Sequence, residues 1–97
     1  AVTGNFNIAN GNYALDAATS GASNIAIGYD ALTANTTTSQ NIAIGQAALA
    51  TDASSENNVA IGHNAAAALN GGTNSVYIGH QAGSAATITG NFMVVVL

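Results

Sequence analysis

The sequence predicts an all-β fold: a parallel β-solenoid of about five stacked coils, with residues 1–97 forming one repeat domain. Three observations predict it. A nine-residue motif returns every 17 residues, β-branched residues stand two apart inside it, and a glycine follows them in every copy.

The motif reads Asn-Ile-Ala-Ile-Gly-x-x-Ala-Leu and is clearest at Asn24–Leu32, Asn41–Leu49 and Asn58–Ala66. Weaker copies begin at Asn7 and Ser75, so the starts fall at 7, 24, 41, 58 and 75 with no insertion between them. The residues around the alternating positions read as a short strand, because β-branched side chains favour extended backbone and residues two apart share a face. Ile25, Ile27, Ile42, Ile44, Val59, Ile61, Val76 and Ile78 are expected to form the core. Ala26, Ala43 and Ala60 fall on the opposite face, a stripe of small residues suited to close approach between chains.

Gly11, Gly28, Gly45, Gly62 and Gly79 end each strand and are expected at corners with positive φ or no room for a Cβ. The Leu15, Leu32, Leu49 column turns back toward the core. Asn7, Asn24, Asn41 and Asn58 recur in register and are expected to stack as an amide ladder, where a plain turn preference of Asn is the simpler account. An amphipathic helix over the Ala-rich stretch from Asn64 to Leu69 fails on period, since 17 residues cannot hold a helix, a strand and two corners. Equivalent strands stacked in parallel would rise about 4.8 Å per coil, giving a rod of roughly 24 Å.

Composition narrows the function. The chain has no Lys, Arg, Pro, Cys or Trp; Asp16, Asp30, Asp52 and Glu56 are its only acidic residues, for a net charge of −4. Without basic residues it has no means of neutralising phosphates, so neither nucleic acid nor an anionic membrane is an expected partner. No apolar run approaches the roughly 20 residues of a spanning helix, and membrane insertion is not expected. The absence of Cys rules out disulfides and thiolate metal sites. The start at Ala1 without Met reads as a processed product or a piece of something longer. The neutral surface of Asn, Thr, Ser and Gln suits packing against copies of the same chain.

Candidate chemistry is sparse. His63 and His80 share a column and should stack within about 5 Å. They are the weak candidates for a metal site, set against an ordinary surface column in which Tyr29, Gln46 and His63 interchange. Asp52 and Glu56 share a loop, which reads as solvated rather than as a Ca²⁺ site. No Ser lies in a nucleophile elbow and no His has an orienting Asp at a readable spacing, so no catalytic residue, cofactor or metal is assigned. Thr36-Thr37-Thr38 does not recur coil after coil, which argues against an ice-binding array.

These repeats resemble the head repeats of bacteriophage tail fibres and are similar to those of trimeric autotransporter adhesin heads, whose units are usually shorter. The 17-residue step and Asn35-Thr36-Thr37 favour the tail-fibre version, and the resemblance covers about residues 5 to 91. It implies a left-handed, homotrimeric β-roll with the Ala face toward its neighbours. It also implies a role on a virion or cell surface, attaching to a glycan or protein receptor. A bacterial adhesin head and a self-assembling extracellular filament are the alternatives; an enzyme is not expected. Asn10 and Tyr77 depart from the pattern, so residues 1–16 and 84–97 are expected to be cap or transition coils.

Thr3-Gly4-Asn5-Phe6 recurs as Thr89-Gly90-Asn91-Phe92, 86 residues on, which is five periods plus one. A one-residue slip exchanges the faces of a strand. Residues 93–97 are therefore expected to leave the inner columns and to pair with another copy, end to end or by exchange, or with a following coil of the same fibre.

Overall fold

The computed structural model describes residues 5–17, 20–34, 37–51, 56–67, 72–84 and 94–96. Six three-residue strands form one sheet, β1 (Ile8–Asn10), β2 (Ile25–Ile27), β3 (Ile42–Ile44), β4 (Val59–Ile61), β5 (Val76–Ile78) and β6 (Val94–Val96). Their order in the sheet is their order in the chain, and every neighbouring pair is parallel. That is the topology of a β-solenoid, and no helix occurs among the described residues.

Register follows the repeat. Ile25 lies beside Ile42, Ala26 beside Ala43 and Ile27 beside Ile44, and the same columns continue through β4 and β5. Hydrogen bonds between coils extend well past the strands. Ile25 N–H donates to Asn41 O at 2.9 Å, Gly45 N–H to Ile27 O at 2.8 Å, and Leu32 N–H to Ala48 O at 2.9 Å. A three-residue strand is short, but the ladder continues round the corner and along the return side, so buried backbone groups are paired.

The two faces of the sheet are the reverse of the sequence expectation. Ala26, Ala43 and Ala60 are fully buried inside the solenoid. Ile25, Ile42, Ile44, Val59 and Val76 are only half-buried, and Ile27, Ile61 and Ile78 are exposed at 38, 37 and 38%. The eight β-branched residues assigned to the core thus line the outside, and the Ala stripe assigned to a chain–chain interface lies within. The physical reason is width. The molecule measures 33 × 23 × 17 Å, and walls that pack about 10 Å apart leave room for Ala on one side opposite Leu on the other. An inward Ile in that column would overfill the gap.

The interior consists of stacked columns. Leu15, Leu32, Leu49 and Ala66 turn inward as expected, beside Ala31, Ala48, Ala65 and Ala82. In β5 the Ala column carries Tyr77, fully buried in the same cluster. Its ring enters the core where the Leu column has shrunk to Ala66 and then Gly83, so bulk on one wall offsets its loss on the other.

Corners carry unusual backbone. Gly45 has φ of 130°, and a Cβ there would meet the carbonyl oxygen of Gly62 at 2.5 Å. Each coil also places non-glycine residues in the left-handed region: Asp30, Ala47, Asn64 and Gln81 lie in one column at φ 59–61°, and Leu32 and Leu49 in another at 52°. Each such residue costs about 1 kcal/mol, which the stacked neighbours on either side must offset.

The final coil also departs from expectation. Val94 pairs with Val76, Val95 with Tyr77 and Val96 with Ile78, an 18-residue step matching the offset of the Thr-Gly-Asn-Phe repeat. The faces are not exchanged: Val95 packs against the interior cluster while Val94 and Val96 are exposed, as at the positions below them. The extra residue is absorbed between β5 and β6, upstream of the strand, so parity is restored before pairing begins. Met93 and Leu97 lie outside the described residues.

Candidate functional site

Alternation along each strand sets two kinds of position side by side. Asn24 and Ala26 point inward, so Ile25 and Ile27 between and beyond them point outward. Repeated in register, this makes two adjacent outward columns: Ile25, Ile42, Val59, Val76 and Ile27, Ile44, Ile61, Ile78. Stacked neighbours half-cover one another, as β-branched side chains do on a pleated surface. The result is a continuous apolar face running along the sheet. On the β1 side one column continues through exposed Ile8 while the other ends at polar Asn10, and on the β6 side both are extended by Val94 and Val96.

The Asn column forms a ladder inside the wall, built from amide-to-backbone bonds rather than amide-to-amide ones. Asn24 Oδ1 accepts from Asn41 N–H at 2.9 Å, Asn41 Oδ1 from Asn58 N–H at 3.0 Å, and Asn58 Oδ1 from Ser75 N–H at 3.0 Å. Asn7 Oδ1 takes Asn24 N–H in the same way at 2.9 Å. The amide nitrogens of Asn7, Asn24 and Asn58 bond within the coil that each opens. Asn7 Nδ2 donates to Gly21 O at 2.8 Å, Asn24 Nδ2 to Thr38 O at 2.9 Å and Asn58 Nδ2 to Gly72 O at 2.9 Å. Asn41 Nδ2 reaches Thr38 Oγ1 at 3.3 Å. Asn24, Asn41 and Asn58 are fully buried, so these bonds satisfy polar groups that water does not reach.

Beyond each corner glycine a further outward column begins. In it His63 and His80 stack with centroids 5.1 Å apart and planes 8° from parallel, as their spacing predicted. Tyr29 of this column meets Tyr13 of the adjoining one edge-on at 5.7 Å. No group of three or more potential metal ligands occurs among the described residues. Glu56 is exposed, while Asp52 lies outside the described residues, so their pairing is not described. Thr38, from the Thr run, is buried and points into the coil.

Sequence reasoning located every column and misjudged which side three of them face, the two β-branched columns and the Ala column between them. The signal that settles it was present: Asn and Ala are two apart, so a buried Asn ladder requires a buried Ala column. The role of Tyr77 also went unrecognised, although the simultaneous loss of Leu at Ala66 and Gly83 marked it. No family model, curated protein or solved structure matches the chain.

Proposed function

We propose that this chain is a non-enzymatic structural and display segment of an extracellular attachment fibre of the bacteriophage tail-fibre type, assembled from three parallel copies. The observation that carries the proposal is the outward aliphatic face on a solenoid whose interior is already filled. An isolated chain leaves that face in water, at roughly 25 cal/mol for each Å² that a partner could cover. The partner is a second copy of the same chain, because a straight two-column stripe with a 17-residue period matches another stripe of the same rise. Copies that run in one direction along a fibre are related by rotation about its axis, which gives closed cyclic symmetry. Three stripes meeting at one axis bury the face completely. The aliphatic columns thus take the interface role first expected of Ala26, Ala43 and Ala60. The return side of each coil, rich in Thr, Ser and Asn, is left outward to meet a glycan or protein receptor.

Native mass spectrometry of the purified chain tests this. A discrete trimer at micromolar concentration is the expected result. A monomer would overturn the assembly, and an open polymer would favour a filament subunit instead.

A further inference from the structure

An asparagine side chain can react with its own backbone. The amide nitrogen of the next residue attacks the carboxamide carbon, and a glycine there leaves the most room for the approach. Asparagine is frequent along this solenoid, and the hydrogen bonds between coils decide which copies are free to react. We infer that Asn10–Gly11 is a site of spontaneous deamidation, which converts Asn10 to isoaspartate and aspartate and loosens the end of β1.

Elsewhere the attacking nitrogen is engaged. After Asn7, Asn24, Asn41 and Asn58 the next N–H donates to the following coil, as Ile25 N–H does to Asn41 O at 2.9 Å. After Asn57 and Asn74 it donates to a ladder Asn Oδ1 at 3.0 Å, and after Asn64 it closes a turn onto Gly62 O at 3.1 Å. Gly28, Gly45, Gly62 and Gly79 likewise donate their N–H to the preceding coil. Gly11 follows the edge strand β1, and its N–H has no acceptor among the described residues. Asn10 is exposed, and its carboxamide has no hydrogen-bond partner among them either. Asn5 and Asn12 precede Phe6 and Tyr13, whose side chains crowd the approach. Asn70–Gly71, the other Asn-Gly pair, lies outside the described residues.

Attack requires a rotation about the Asn10 Cα–C bond, out of the extended conformation. That rotation gives up the bond from Gly28 N–H to Asn10 O at 2.8 Å, and β1 is paired on one side only. The reaction balances with water alone. Gly11 N loses its proton and bonds to Asn10 Cγ, and the side-chain nitrogen leaves as ammonia, giving a cyclic succinimide. Water then opens the ring at either carbonyl. Opening at Cγ gives aspartate; opening at the former main-chain carbonyl gives isoaspartate, whose backbone runs through Cβ and Cγ. The carbonyl that accepted from Gly28 N–H becomes a free carboxylate, and the added methylene carries Gly11 out of register with Gly28. Either product adds a negative charge to the net −4, at the polar end of an outward aliphatic column.

The test is peptide mapping by mass spectrometry on the full chain, incubated in heavy-oxygen water at mildly alkaline pH, folded and in urea. Nanomolar concentration keeps the outward face open to water. Urea gives each Asn its unprotected rate. In the folded chain Asn10 should take up label within about tenfold of that rate, and Asn74 at least about a hundredfold below its own, because Asn74 must wait for local opening. Equal protection of the two, or no label at Asn10 in either condition, would overturn the site. Aspartate without isoaspartate, told apart by electron-transfer fragmentation, would exclude the cyclic intermediate and overturn it as well. Hydrogen exchange at Gly28 N–H should quicken as the unmodified chain converts and stay constant in Asn10→Gln. An equal rise in both would overturn the loosening of β1.

Discussion

Ala43 is sealed inside the solenoid while Ile44, the next residue along the same strand, faces outward. Their substitutions should therefore separate folding from assembly. Ala43→Lys forces a long cationic side chain into a filled interior and should cost several kcal/mol, about enough to unfold a small domain. Ile44→Lys should leave the coil folded and dissociate the copies. Circular dichroism read beside sedimentation tells the two outcomes apart. The reverse pattern would restore the Ile columns to the core.

Asn41 holds two coils together through one side chain. Asn41→Ala leaves the buried N–H of Asn58 without its acceptor and should cost about 2–4 kcal/mol. Urea denaturation measures this. A loss below about 0.5 kcal/mol would show the ladder to be dispensable.

Tyr77 presents the opposite case. Its hydroxyl is buried with no hydrogen-bond partner among the described residues, so Tyr77→Phe keeps the ring and removes a desolvated group. A gain of about 1 kcal/mol is expected. Destabilisation on thermal melting would reveal a bond from this hydroxyl.

Two positions in one corner should respond with opposite signs. Gly45→Ala drives a Cβ against the backbone of Gly62 and should cost about 3 kcal/mol or more. Ala47→Gly relieves a left-handed alanine at φ 60° and should gain up to about 1 kcal/mol. Thermal midpoints of the two variants check both.

Much of this fold was legible because the repeat is strict. Period, strand positions, corner glycines, the inward Leu column and the His stack all follow from residues that recur in register. What was misread was the side each strand face takes, since hydrophobicity alone sends Ile25 and Ile27 inward and Ala26 outward. In a coil this narrow, volume decides, and the small residue goes inside. The offset at β6 was legible in the Thr-Gly-Asn-Phe repeat, but its consequence was not. A slip exchanges strand faces only when it falls within the paired segment, and here it falls before Val94. The assembly face is visible only once the inside is known.

The ladder also has a direction. The nitrogens of Asn7, Asn24 and Asn58 each close a carbonyl 14 residues ahead, and the oxygens of Asn7, Asn24, Asn41 and Asn58 each wait for an amide 17 residues ahead. During synthesis from the amino end, the first bond can form as a turn completes and the second as the next turn arrives. The chain can thus wind like thread on a spool, each finished turn offering a seat for the one that follows. Ser75 takes the last such seat and offers no carboxamide beyond it, and there the step lengthens from 17 to 18. Pulled from its carboxyl end, such a spool should unreel turn by turn, each release leaving the turns beneath it still wound.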